Sequence, residues 1–254
     1  MQKSCRIGDE RTLARRAAEA GIATIIALGG DGTWSNVARG ILDAGTDTRL
    51  ALLAGGTGND LAKNVGAPAH DVHATLDLAF DGPDRRIDVG YVNDTPFVNS
   101  CGVGFDVAVI QALPRGGSPL GKSAYLLTAA RKLWRYRAIT VDGQPYLVIV
   151  IGSGARFGGG MLLAPGANND DGLLDLVAVR DVRPLARVRT LIAASIGKHI
   201  GLAGVESKRA SSFELRFEQP PLFEVDGELV QADRSTLSVR CEQQRLRICA
   251  PEKR

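Results

Sequence analysis

Two glycine turns lie close together near the start of the chain: Gly29-Gly30-Asp31-Gly32-Thr33 and Gly55-Gly56-Thr57-Gly58. Each follows a short apolar run and precedes helical spacing, so each is expected to join a buried strand to a helix. Such a turn leaves backbone N–H groups free at the positive end of a helix dipole, where an anion can sit. Asp31 adds a carboxylate that would repel a bare phosphate but suits one arriving with Mg2+, which points to a nucleoside triphosphate. Glycine turns also arise for steric reasons alone, since only glycine permits the tightest geometry. Two in succession, both associated with Thr and Asp, favour the ligand. Neither has the GxGxxG dinucleotide pattern or the GK[ST] ending of a P-loop.

Two later stretches carry further carboxylates. Asn168-Asn169-Asp170-Asp171-Gly172-Leu173 is rich in the oxygen donors that hard cations prefer, and it is equally suited to an Asx turn holding no ion. Val225-Asp226-Gly227-Glu228-Leu229 reads by itself as a turn between strands. The histidines, His70, His73 and His199, form no metal cluster or triad, and Lys63 reads as a helix-surface lysine. The run Arg131 to Arg137 mixes basic and aromatic residues, as the solvated end of a helix or as a contact with an anionic membrane.

These residues need elements to position them. A helix is expected over 9–20, with Asp9 as cap and Gly21 as stop. Ile22 to Leu28 is a continuous apolar run expected to be a buried strand, and Trp34 to Leu42 a helix. Leu50 to Ala54, the second turn and Asn59 to Val65 repeat the pattern, which implies a parallel sheet. A helix over 70–80 closes this unit. From Asp81-Gly82-Pro83 onward the grammar is β-rich, so an α/β domain over 1–83 and a β-sandwich domain over 84–254 are expected. In the second, Asp142-Gly143 suits a tight hairpin, alternation at Phe213, Leu215 and Phe217 and at Leu246 and Ile248 marks half-buried strands, and helices are expected over 119–136 and 184–200.

Composition excludes several classes. With 254 residues, 44% of them hydrophobic, the chain can bury a sizeable core. A net charge of +3 from 31 basic and 28 acidic residues, mixed along the chain, gives no nucleic-acid-binding tail. Cys5, Cys101, Cys241 and Cys249 form no CxxC pair, which fits reduced thiols in a cytoplasmic protein. No apolar run reaches the ~18 to 20 residues a spanning helix needs, and the first residues lack a signal-peptide core.

The pairing of Gly29 to Thr33 with Gly56-Thr57-Gly58-Asn59-Asp60-Leu61-Ala62 resembles the signature of diacylglycerol kinase catalytic domains, a family that includes soluble bacterial lipid kinases and is similar to sphingosine kinases. Asn99 to Asp106, Gly158-Gly159-Gly160 to Pro165, Asp170 to Leu173 and Asp226-Gly227-Glu228 extend it in order over most of the chain. The resemblance implies a Rossmann-like (NAD kinase/diacylglycerol kinase-type) α/β nucleotide domain followed by a β-sandwich domain, with the active site in the cleft between them. It implies that Gly30, Asp31, Gly32, Thr33, Trp34, Ser35 and Asn36 cradle the ATP phosphates, Asp31 near a catalytic Mg2+, with further nucleotide contacts from Thr57 and Ser4. Glu228 falls at the family's proton acceptor; Asp226 either positions it, binds metal through water, or serves the turn. Asn168, Asp171 and Leu173 fall at a structural Mg2+.

The implied activity is transfer of the γ-phosphate of ATP to the hydroxyl of diacylglycerol or a related lipid alcohol, as part of phospholipid metabolism. The implied setting is cytoplasmic, with transient peripheral membrane contact and a homodimer left open. Family members begin with a strand and a nucleotide loop upstream of the point where this chain starts, so an exposed sheet edge is expected. Two other readings stand beside this one. The first is NAD or another small-molecule kinase, which the first glycine turn permits; the second is a non-catalytic nucleotide- or lipid-binding module.

Overall fold

The computed structural model describes residues 2–4, 6, 8–112, 132–134 and 136–252. Helix α1 (Asp9–Glu19) leads into strand β1 (Thr24–Gly29), helix α2 (Asp31–Ala44) and strand β2 (Arg49–Ala54). Short helices α3 (Asp60–Val65) and α4 (Val72–Phe80) follow. β1 and β2 pair in parallel with Gly29 opposite Ala54, so their two following turns leave the sheet side by side. The repeated strand–glycine–helix pattern thus folds as its periodicity requires.

β1 differs from expectation in one respect. It is the edge strand of its sheet, and its two faces alternate: Ala27 is buried while Ile26 and Leu28 are exposed. A continuous apolar run predicts cover on both faces. Here α2 covers one face, and Ile26 and Leu28 on the other are left open to solvent.

Strands β3 (Asp84–Val92) and β4 (Thr95–Phe97) follow, then β5 (Ser100–Gly104), α5 (Phe105–Ile110), β6 (Ile139–Val141) and β7 (Gln144–Gly152). β8 (Arg156–Phe157) and β9 (Met161–Leu162) form a small hairpin before β10 (Leu174–Arg180), α6 (Pro184–Ser195) and β11 (Val205–Ala210). β12 (Ser212–Arg216), β13 (Leu222–Val225), β14 (Glu228–Gln231) and the long β15 (Thr236–Cys249) complete the chain. The β6–β7 turn has Asp142 at φ 50° and Gly143 at φ 72°, the left-handed pair that a two-residue hairpin demands. α6 stops at Ser195 because Gly197 takes a left-handed φ of 71°. The helix expected over 119–136 lies mostly outside the described residues, as do Arg131 and Arg135.

Two sheets result. The first has the order β1-β2-β15-β3-β4, with β12 added alongside β15; the second runs β11-β10-β7-β5-β13-β14, with β6 on β7. Leu246 and Ile248, near the end of β15, are buried with Trp34, Ile41, Leu50 and Ile87 in the core of the α/β unit. The earlier half of β15 packs Leu237 and Val239 against Ile149, Leu174 and Phe223 of the second sheet, which makes the sandwich core. β15 therefore belongs to both cores, with a register shift between Glu242 and Leu246 where it passes from one to the other.

Candidate active site

The two glycine turns pack against each other. A Cβ on Gly56 would lie 2.6 Å from Gly30 Cα, and Gly55 N donates to Gly29 O at 2.6 Å, so only glycine fits at that crossing. Asp31, the first residue of α2, points across to the second turn: its Oδ1 accepts from Leu61 N at 3.1 Å, and its Oδ2 sits 2.6 Å from where a Gly58 Cβ would be. Burial raises the Asp31 pKa above the usual carboxylate value, and the nearby Asp60 carboxylate adds to the rise. Asp60 accepts from Gly159 N at 2.7 Å, linking this corner to the β8–β9 hairpin of the second unit.

Gly32 and Thr57 are exposed at this corner, with Gly30 and Thr33 half-buried beside them. Trp34 is fully buried instead and donates its indole N–H to Ala27 O at 3.0 Å, so its side chain is core. Ser35 and Asn36 face away from the turn, toward the β13–β14 hairpin. Ser4 lies half-buried before α1 and, among the described residues, forms no hydrogen bond to either turn.

The β13–β14 hairpin turns on Asp226 (φ 49°) and Gly227 (φ 87°), with Val225 paired to Glu228. The Asp226 side chain is only 1% exposed and fully engaged: Ser35 Oγ donates to it at 2.5 Å, and the N–H groups of Val98, Asn99 and Ser100 donate at 3.0, 2.9 and 3.1 Å. No coordination position remains for a metal, and Asp226 serves to fix the turn. Glu228, one register step on, is 45% exposed; its Oε2 accepts from Arg39 Nη1 at 2.7 Å and its Oε1 from Asn36 Nδ2 at 3.1 Å. Arg39 also donates to Pro96 O and Val225 O, so one buried guanidinium holds both the hairpin and its carboxylate. Asp31, Asn36 and Arg39 lie along α2, which puts about 8 to 12 Å of helix between the Asp31 carboxylate and the groups that hold Glu228.

The family model for the diacylglycerol kinase catalytic domain matches residues 1–92, and that for the YegS C-terminal NAD kinase beta sandwich-like domain matches 99–250. A Pseudomonas fluorescens protein named "Probable lipid kinase YegS-like" is 33% identical over 96% of this chain and 83% of its own length. The chain belongs to the diacylglycerol kinase catalytic-domain family. A Chromohalobacter salexigens protein with the same printed name is 39% identical over 73% of the chain, a match spanning 63% of that relative's length. A Bacillus subtilis "Diacylglycerol kinase" is 28% identical over 87% of the chain and 76% of its own length. A crystal structure of a diacylglycerol kinase from Bacillus anthracis str. Sterne superposes with a TM-score of 0.73 at 20% identity, covering 98% of this chain and 83% of that one. At that identity the superposition shows the fold.

The diacylglycerol kinase family implies Mg2+, and the Asp31 corner fits it. The carboxylate there is desolvated and cradled by Gly58, and no described cation pairs with it. Among the described residues no three acids converge into a metal cage, so the phosphates themselves would have to complete the coordination shell. At the second implied site the Asp171 carboxylate already has protein partners. Asp171 Oδ2 is ion-paired with Arg209, and its Oδ1 accepts from Leu173 N at 3.1 Å. The Asn168–Leu173 loop is instead tied to β3, where Gly172 N donates to Asp88 at 2.6 Å and Arg85 Nη2 to Asn169 Oδ1 at 3.2 Å.

Sequence reasoning missed three charged residues of this kinase-family site. Arg39 sits on α2 one turn from Ser35 and Asn36, a polar face on a buried helix, and that spacing was the available signal. Asp106 and Glu224 lie buried beneath the hairpin. Glu224 Oε2 accepts from Gly227 N at 2.8 Å, while Glu224 Oε1 and Asp106 Oδ2 have no hydrogen-bond partner among the described residues. A Cβ on Gly102 would overlap Asp106 Oδ2 and come within 3.1 Å of Glu224 Oε1, so the two carboxyls face each other across that glycine. Burial pushes Asp106 up to about 7 and Glu224 well above its ordinary value, and their mutual repulsion adds to the rise in Glu224.

Proposed function

We propose that the chain is an ATP-dependent lipid kinase that transfers the γ-phosphate of ATP to the hydroxyl of diacylglycerol, or of a related lipid alcohol, giving phosphatidic acid in the first case. The observation that carries this reading is the arrangement along α2. Its N-terminus and Asp31 form a phosphate corner with the second glycine turn, and Asn36 and Arg39 farther along the same helix hold Glu228.

The turn N–H groups and the α2 dipole bind the nucleotide phosphates. A bound Mg2+ would neutralise charge on the β- and γ-phosphate oxygens as it builds up during transfer. Glu228, ion-paired with Arg39 and turned outward, accepts the proton of the acceptor hydroxyl as its oxygen attacks phosphorus. Asp226 contributes by holding the backbone that carries Glu228. The acceptor is read as a lipid because of a pocket of about 80 Å³ in the second unit, lined by apolar side chains that include Leu133, Leu147, Phe157, Met161 and Leu191. Acyl chains suit that lining and a polar dinucleotide does not.

Incubation with [γ-32P]ATP, Mg2+ and a panel of diacylglycerol, ceramide, sphingosine and NAD tests the reading. Label in a lipid phosphate is the expected result. Label in NAD alone, or in nothing, overturns it.

A further inference from the structure

Helix α6 carries apolar side chains on its outward side as well as its inward one. The face it turns inward carries Arg187, Thr190 and Ala194, all buried, while Leu185, Val188, Ile192 and Ile196, at i, i+3, i+7 and i+11, form one outward row. Leu185 is 76% exposed and Ile192 is 62% exposed. Scattered surface aliphatics are ordinary, but an aligned row on the solvent side of a helix marks a surface that meets something apolar.

Asp181, just before the helix, is ion-paired with Arg187, and beyond it the segment carries charge of one sign. From Val182 to Val205 the chain contains four basic residues, Arg183, Arg187, Arg189 and Lys198, and no Asp or Glu. Arg183, Arg189 and Lys198 are exposed, and their side chains form no hydrogen bond or ion pair with any described residue. Arg187 is committed inward instead. Its Nη1 donates to Leu133 O at 2.9 Å and Tyr136 O at 3.0 Å, which clamps against the helix the short segment bearing Trp134, 59% exposed. The inner face of α6, through Thr190, Leu191 and Ala194, also walls the apolar cavity.

We propose that the outward face of α6 is the surface by which this protein docks on an anionic phospholipid bilayer. The proposal rests on the lipid-kinase reading, since it names where the bilayer holding the acceptor would meet the chain. A bilayer supplies hydrocarbon for the aliphatic row and negative headgroups for Arg183, Arg189 and Lys198. A second copy of the chain fits less well. The row is one side chain wide and about 16 Å long, well under the ~800 Å² per partner of a stable dimer, and a twofold copy would set these basic residues against their equals. The cavity behind the helix then lies next to the membrane, so an acyl chain has a short path between the two.

The test uses the full chain with vesicles of phosphatidylcholine and phosphatidylserine at 7:3, and with pure phosphatidylcholine. Co-sedimentation and Trp134 emission give the readouts; the other tryptophan, Trp34, is fully buried and reports little. The wild type is expected to bind the mixed vesicles with a blue shift, and more weakly as salt rises. L185E/I192E is expected to lose at least tenfold in vesicle affinity with an unchanged melting temperature, and R183E/R189E about fivefold per charge, on mixed vesicles only. Both variants should phosphorylate dispersed dioctanoylglycerol at the wild-type rate and lose activity only on bilayer substrate. Vesicle binding by L185E/I192E equal to wild type overturns the proposal, as does a wild-type dimer that this variant splits. Vesicle binding that depends on Leu185 and Ile192, without any lipid phosphorylated, upholds the docking surface and refutes the kinase reading.

Discussion

Asp31 and Asp226 are the same residue type on two tight turns, and their surroundings differ sharply. Asp226 receives four protein hydrogen bonds and has Arg39 at 3.8 Å. Asp31 is substantially buried, meets the backbone N–H groups of Asn59, Asp60 and Leu61, pairs with no described cation and carries a raised pKa. The first carboxylate is saturated by the protein and can only hold structure. The second has backbone partners but no described cation, and is stabilised by whatever positive charge arrives. Where protein partners run out is where a ligand is expected.

Substitutions can break or sharpen that contrast. The largest effect is expected at the residue Asp226 positions: Glu228→Gln should cut phosphoryl transfer by about 10²- to 10⁴-fold while ATP binding and melting temperature stay near wild type, read by turnover and by calorimetric titration. Asp226→Ala should act on the fold instead, costing about 3–5 kcal/mol in denaturant unfolding because it strands Ser35, three N–H groups and Arg39 without their acceptor. Asp31→Asn should do the reverse. It keeps an acceptor for Leu61 N and removes a desolvated charge, so melting should be unchanged or higher while Mg2+-dependent turnover falls about 100-fold. A stability loss at Asp31 as large as that at Asp226 would erase the distinction.

The smallest expected effect concerns pH. The Asp106 pKa rises from 3.8 to about 7 on folding, so in that interval the folded chain keeps a proton the unfolded chain has released. Stability from this group is therefore full below about pH 4 and is lost as pH rises through about 7. Asp106→Asn should flatten the unfolding free energy against pH across that window. An unchanged slope would assign the proton to Glu224 alone.

Local pattern carried most of what could be read in advance. The strand–glycine–helix units, the Asp142-Gly143 hairpin and the Asp226-Gly227 turn are set by neighbouring residues, and their positions matched the structure closely. What escaped was non-local. Nothing near Arg39 in sequence shows that it ends beside Glu228, and nothing near Glu224 announces Asp106, because each buried charge has its partner on another element. Trp34 shows the opposite error. It belongs to the glycine motif by position, yet its side chain serves the core. Ile26 and Leu28 look buried from composition, and only the strand's place at the sheet edge exposes them.

The double membership of β15 constrains how the chain can fold during synthesis. The strand lying between β2 and β3 comes from the final residues, so a nascent chain that has emerged through Val92 lacks the middle of its first sheet. That α/β unit cannot close domain by domain as it leaves the ribosome; it must wait, with apolar strand edges open, until Leu246 and Ile248 arrive. Deleting the last dozen residues should therefore unravel the corner where the two glycine turns meet, although every residue of both turns would still be present.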